Sequence, residues 1–373
     1  MDKCKYNCKF CNYNKQEYNL LLDAKQLEIK KLFSNYNNKI LPIVPCENNI
    51  NYRNKVTITF DYQKKRVIAG IYDENSHNVI EIKDCFLQNV LANNIIKSLV
   101  KLINDFKITA YNERSRYGIL RHAQIRVSNF NNDILLTLVA TEKNFKSSKN
   151  FIKALVKENP NIKSVVINYN DKITTQVLGE YDTVVYGSGL ILDKICGFKF
   201  LIGSKSFYQV NPKQTELLYT YGIDVLDIKI TDVVLDLYCG LGTIGILASK
   251  YANIVTGVEL NKQAVDIAKK NASLNNIDNI RFVNADSTKF LNDYKGNIDI
   301  LIMDPPRSGA SKEFMKAILK LKPSKILYIS CNPITQLSDF NYIKSAYNIK
   351  SIKAFDMFPY TNHIESVCVL ERK

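Results

Sequence analysis

Tryptophan is absent from this 373-residue chain, and acidic residues fall short of basic ones, 36 against 51, leaving a formal charge of +15. The missing tryptophan goes with an abundance of lysine, asparagine, isoleucine and tyrosine, the bias of an AT-rich genome. The shortage of acid has two readings. One is a polyanionic partner, nucleic acid first; the other is a basic surface produced by that same bias. No apolar run approaches the roughly 18 residues a membrane-spanning helix needs, so no membrane partner is expected. No segment reads as a secretory signal, and no internal repeat is evident. Nine cysteines without an export signal point to a reducing cytoplasm, where such residues serve metals or catalysis rather than disulfides. A monomer is expected, and the length suits two domains, each able to bury a core.

What is present begins with Cys4, Cys8 and Cys11, a spacing of metal-site type. Leu20, Leu21, Leu27, Ile29, Leu32 and Phe33 then recur among charges, which predicts an amphipathic helix from Gln16 to Phe33. Pro42 and Pro45 interrupt it. Short alternating runs follow, among them Val56 to Phe60, Arg66 to Tyr72, Gly118 to Val127, Asp133 to Ala140 and Tyr181 to Tyr186, with a helix expected from Cys85 to Asp105. Residues 1–200 therefore read as a mostly β, α+β domain, with the helix over 15–34 expected to pack on the domain that follows. From about 201 the texture changes. Near-continuous apolar runs (Val233 to Leu237, Ile254 to Val258, Ile280 to Val283, Ile298 to Met303, Lys325 to Ile329) alternate with helices. That pattern predicts a parallel sheet covered on both faces, so residues 201–373 read as a Rossmann-like α/β domain. The last strands, Ile349 to Ala354 and Ser366 to Leu370, are expected to form an antiparallel edge.

Gly240 and Gly242 follow the first of these strands and permit a tight turn into a helix whose N-terminal amides face the loop. Gly245 completes a G-x-G-x-x-G spacing, weak evidence by itself. The next strand ends in Glu259, placed to bind ribose hydroxyls; the third ends in Asp286, suited to an adenine amino group; the fourth ends in Asp304. No lysine of P-loop type is present. A loop beside Asp236 suits a cofactor without a pyrophosphate, and S-adenosylmethionine fits. Cys331 ends a fifth strand and is followed by Asn332-Pro333, a turn that would expose its thiol near the cofactor. Glu365 precedes the last strand and is a plausible base, although a surface ion pair is its plainer reading.

Taken in order, Ser206-Phe-Tyr-Gln209-Val-Asn211, Asp236-Leu-Tyr-Cys-Gly240, Asp304-Pro-Pro-Arg307-Ser-Gly309, Ser330-Cys331-Asn-Pro333, and Asp356-Met-Phe-Pro359 through His363-Ile-Glu365 resemble the RNA uracil-5-methyltransferase family. The resemblance extends to Tyr52-Arg-Asn-Lys-Val56 and Leu120-Arg-His122. It is greatest to the iron–sulfur branch acting on 23S ribosomal RNA, in its small form, without the N-terminal TRAM barrel of larger members. The resemblance implies that Cys331 is the nucleophile and Glu365 the base. It also implies that Gln209, Tyr238, Gly240, Glu259, Asp286 and Asp304 hold S-adenosylmethionine or lie beside it. Cys4, Cys8, Cys11 and Cys85 match the four ligands of the family's [4Fe–4S] cluster. Four thiolates equally satisfy zinc, and spacing does not separate the two. The gap between Cys4 and Cys8 is shorter than the family's.

The implied partner is 23S rRNA, naked or partly assembled, with the transfer RNA T-loop as the alternative. A radical S-adenosylmethionine enzyme would share the cysteine pattern but needs a βα-barrel after it. A non-catalytic RNA-binding cluster protein would leave Cys331 and Glu365 without purpose. Lys3, Lys5, Lys9, Arg53, Lys55, Arg121 and Arg126 are expected to form an RNA platform on the first domain.

Overall fold

The computed structural model describes Cys4, Tyr6, Cys8, residues 10–13, 17–73, Ser76 and residues 78–373. Lys3, Lys5 and Lys9 of the expected platform, and Gln16 at the expected helix start, lie outside these residues. The first helix, α1 (Tyr18–Leu32), buries Leu21, Lys25 and Ile29, which its four-residue spacing stacks on one face. A short 3-10 turn at Ser34–Lys39 follows it.

Seven strands then make one sheet: β1 (Lys55–Gln63), β2 (Arg66–Tyr72), β3 (Val79–Glu81), β4 (Leu120–Val127), β5 (Ile134–Ala140), β6 (Ile162–Tyr169) and β7 (Tyr181–Tyr186), in the order β3-β2-β1-β4-β5-β6-β7. Helix α2 (Val90–Asp105) lies between β3 and β4 in sequence, and α3 (Ser148–Glu158) between β5 and β6. Only β5 and β6 pair in parallel, which is why a helix must connect them, whereas α2 carries the chain from β3 at one edge to β4 beside β1. Alternation sets the faces. Val56, Ile58 and Phe60 enter a core with Ile95, Ile96, Leu99 and Leu102 of α2, while Lys55, Thr57 and Thr59 take the other face. Helix α2 starts at Val90, five residues later than expected. Asn89 caps it by accepting from Leu91 N at 2.8 Å, and the turn from Cys85 to Gln88 keeps the thiol off the helix. The lysine content of α3 hides an apolar stripe of Phe151, Ile152 and Leu155.

After the hairpin β8 (Leu190–Ile195) and β9 (Phe198–Gly203) comes α4 (Pro212–Leu226). The alternating run follows: β10 (Val233–Leu237), α5 (Thr243–Ser249), β11 (Ile254–Glu259), α6 (Lys262–Leu274), β12 (Ile280–Asn284), α7 (Ser287–Asp293), β13 (Ile300–Met303), α8 (Lys312–Leu321), β14 (Lys325–Ser330), α9 (Pro333–Ile343), β15 (Tyr347–Phe355) and β16 (Glu365–Arg372). The sheet order is β12-β11-β10-β13-β14-β16-β15. Five strands are parallel, and the strand order reverses between β10 and β13, the point at which such sheets bind ligands. The last two strands form the expected antiparallel edge, with β15 outermost and β16 paired between β14 and β15. The outer side of β15 takes Leu41 and Val44, whose amides donate to Ile352 O and Ala354 O at 2.8 and 2.9 Å.

The chain does not divide once near residue 200. One compact unit comprises the described residues of Met1–Asn14, Asn48–Lys194 and Leu201–Lys205; the other comprises those of Lys15–Glu47, Ile195–Phe200 and Ser206–Lys373. The physical reason is the apolar stripe of α1. Ile29 and Phe33 share a core with Phe340, Ile352 and Leu370 of the second unit.

Candidate active site

The candidate residues stand at strand ends, and the register brings them together. Ser330 ends β14 and pairs with Ser366 of β16. One step further along this antiparallel ladder, Cys331 comes opposite Glu365. Cys331 is half-buried, whereas Glu365 is 2% exposed. The turn after Cys331 is braced by Asn332, whose side chain accepts from Ile334 N at 3.2 Å and donates to Arg307 O at 3.1 Å. That second bond ties the cysteine turn to the Asp304–Gly309 loop. Asp304 follows β13, beside β14 and β10 in the sheet.

Burial pushes the Cys331 thiol up; the charges of Glu365 and Asp304 add to this, and Arg307 opposes it. Glu365 is raised well above the usual carboxylate range by burial and by Asp304. Asp304 is pushed up to about 7 by burial. A thiol thus adjoins two carboxyls of raised basicity, the arrangement needed to add to a base and then remove a proton from it.

Around the glycine loop, Tyr238 takes a left-handed backbone at φ +61°, uncommon for a bulky residue and found at functional sites. Gly242 has φ +77°, and a Cβ there would press on the Phe282 ring at 2.5 Å. At Gly240 a Cβ would meet nothing within 4 Å, so open space lies against the loop. Gly240 N donates to Glu259 at 3.1 Å, and Asn261 N donates to the other oxygen of that carboxylate at 2.7 Å. Gln209, Tyr238, Gly240 and Asp304 line one narrow cleft together with Tyr208 and Tyr219. Donors, acceptors and ring faces of this kind suit an adenosyl group.

Two acidic strand ends also serve the fold. Asp236 points inward, where it accepts from Gly245 N at 2.8 Å and so clamps α5 to β10; burial pushes its pKa up to about 7. Asp286 is exposed and caps α7 by accepting from Lys289 N at 2.9 Å, while staying within electrostatic reach of Tyr238. Tyr219 of α4 was not legible beforehand: it is buried, and Asp304, Asp236 and Glu365 all act on its hydroxyl. No motif surrounds it. His363 is exposed and packs its ring edge-on against Phe358.

In the other unit, Cys8 feels the charges of Cys11 and Cys4, and Cys85 those of Cys11 and Cys8. Backbone amides serve these sulfurs: Phe10 at Cys8, and Leu87 and Gln88 at Cys85. The Tyr6 hydroxyl accepts from Lys83 N and Asp84 N at 3.0 and 2.9 Å, pinning the opening segment beside Cys85. Among the described residues, no three metal-ligating side chains converge as on a single bound ion. Cys46, a further cysteine early in the chain, belongs to the second unit, its sulfur accepting from Asn211 at 3.3 Å.

The expected platform needs correction. Arg121 and Arg126 are 4% and 1% exposed, because β4 is a central strand buried along its whole length. Arg121 donates to Asn170 O and Lys172 O and lies over the Tyr111 ring. Lys55, directly across from Arg126, is pushed down to about 8, by burial first and then by Arg126 and Arg53.

The likeness to known proteins spans nearly the whole chain. The profile of the tRNA (uracil-5-)-methyltransferase family matches residues 17–373. An uncharacterized RNA methyltransferase of Oceanobacillus iheyensis is 35% identical, over 99% of this chain and 83% of that protein. One from Clostridium tetani is 34% identical, over 97% and 80%. Among solved structures, the Pyrococcus abyssi tRNA (uracil-54, C5)-methyltransferase in complex with S-adenosyl-L-homocysteine superimposes with a TM-score of 0.79 at 26% identity, over 95% of this chain and 83% of that one. With a Rossmann-like sheet, a glycine loop at its switch point and a thiol–carboxylate pair at its carboxyl edge, the chain belongs to the tRNA (uracil-5-)-methyltransferase family.

Proposed function

We propose that this protein methylates C5 of a uridine in 23S ribosomal RNA, with S-adenosylmethionine as donor and a covalent Cys331 adduct as intermediate. The observation that carries this reading is the β14–β16 register, which sets Cys331 opposite Glu365 with Asp304 beside them. Bound S-adenosylmethionine supplies an electrophilic methyl group, and Gln209, Tyr238, Gly240, Glu259, Asp286 and Asp304 would hold it. C5 of uracil is a poor nucleophile. Addition of the Cys331 thiolate at C6 forms a carbon–sulfur bond and leaves C5 enolate-like. Once C5 carries the methyl group, Glu365 takes the C5 proton, the C6–sulfur bond breaks, and the thiolate is restored. The target base must leave its stack to reach these residues.

The four thiols Cys4, Cys8, Cys11 and Cys85 suit a [4Fe–4S] cube, in which each sulfur binds a different iron and the ligands stand apart. Amides directed at two of the sulfurs fit that donor set. The cluster's part would be structural, ordering a short, polar opening segment.

A second reading is the same reaction on the T-loop of transfer RNA. The family's name and the Pyrococcus abyssi enzyme favour it. Mapping 5-methyluridine in ribosomal and transfer RNA from a strain lacking this gene tests both. Loss from 23S rRNA alone is the expected result, loss from transfer RNA would move the substrate, and loss from neither would end the uracil reading.

A further inference from the structure

The first unit carries a groove that the uracil chemistry does not use. Strand β7 ends its sheet and pairs only with β6, and all six of its residues are exposed. Tyr181 is 61% exposed and Tyr186 42%. Helix α3 sends Phe151 and Leu155 into the core beside β6 but does not reach over β7. Between α3 and β7 lies a space of about 560 Å³. Its floor is apolar and aromatic: Ile152 and Val156 from the helix, Val185 and Tyr186 from the strand. Its rim is basic. Lys149 and Lys153 come from successive turns of α3, and Lys143 stands at one end, its ammonium 5.5 Å from the Tyr169 ring and 5.2 Å from the Tyr181 ring. No carboxylate lines the space, and among the described residues none of these three lysines has a carboxylate partner.

We propose that this groove holds a single-stranded segment of the substrate RNA, with base faces on the Ile152–Val185–Tyr186 floor and phosphates along Lys143, Lys149 and Lys153. The proposal rests on RNA being the substrate, as read above. An apolar floor between cations is the pattern of sequence-tolerant single-strand binding, where stacking and charge act together. A duplex keeps its base faces stacked and offers such a floor nothing. The competing occupant is an acidic peptide added to the open edge of β7. The groove favours RNA because its lining is the face of the sheet and one side of α3, whereas strand addition would use the backbone of the edge.

The test is fluorescence anisotropy of a labelled 20-mer oligouridylate with the full chain, from 50 to 200 mM salt. Lys149→Gln/Lys153→Gln should weaken binding about tenfold at the lower salt and flatten the slope of log affinity against log salt by about 1.4, the loss of two phosphate contacts. Tyr186→Ala should weaken binding about fivefold or more with the slope unchanged, the mark of lost stacking. Unchanged affinity and slope in both variants, at unchanged melting temperature, would overturn the proposal. So would lysine-dependent binding of a labelled polyglutamate with no effect on oligouridylate, which would assign the groove to a protein partner. Wild-type methylation of unmodified transcripts is measured alongside. If it fails on every RNA, the uracil reading falls, while the anisotropy still decides the groove.

Discussion

On the proposed mechanism Cys331 is the nucleophile and Glu365 the base, and each substitution should then stop the reaction at a different stage. Cys331→Ala should abolish methylation and keep S-adenosylmethionine affinity close to wild type, measured by calorimetry beside a radiolabel transfer assay. Glu365→Gln should lower turnover by about a hundredfold or more and leave a methylated RNA–protein adduct that survives a denaturing gel. A variant that turns over normally would disqualify Glu365 as the base. The buried carboxyls also predict a pH dependence. Asp236 and Asp304 titrate at about 7 in the folded chain against an ordinary 3.8. Between those values the folded state holds more protons than the unfolded one. The stability involved is therefore fully present below about pH 3.8 and lost as pH rises through 7. Asp304→Asn should melt several degrees above wild type at pH 8, with the gap shrinking as pH falls toward 4, in thermal scans across that range.

Among the elements, α1 shows where reading the sequence stopped. Its apolar spacing was legible, and so was the parallel sheet, because buried strands give unbroken apolar runs. That α1 packs on the second domain was expected too; the strands and helix it meets there were not, since nothing local to α1 names them. The same limit hid which of the two expected edge strands lies outermost, and the inward turn of Arg121 and Arg126, since a basic residue in a strand looks alike whether that strand is central or at an edge. Gln209, Tyr238 and Asp304 stood out because they sit in motifs, whereas Tyr219, which lines the same cleft from a helix without one, did not. A lysine on the buried side of α1 also gave no warning of its role. Lys25 donates to Asp356 at 2.6 Å and to Phe358 O at 3.1 Å, with the two charged side chains 5% and 2% exposed. Lys25→Met would leave Asp356 buried and uncompensated, a cost of about 3–5 kcal/mol. It would also release the loop that leads into Glu365. Urea unfolding should show the loss, and Lys25→Met/Asp356→Leu should recover much of it.

At the scale of the molecule, the opening cysteines are the part most open to direct measurement. Protein purified without oxygen should be brown and carry about four irons, and Cys85→Ser should lose them as fully as Cys8→Ser. Stoichiometric zinc in colourless, active protein would overturn the cluster. The second unit draws on both ends of the chain, and this bears on how the protein is made. Lys25 and Asp356 are 331 residues apart. At roughly 5–20 residues per second, a ribosome needs on the order of 15–70 s to travel from one to the other. Throughout that interval α1 exists without the surface that buries Ile29 and Phe33. The helix is made early and housed last, so chaperones that shield nascent apolar segments have a defined window in which to hold it, and synthesis that stalls before β15 leaves it without a home.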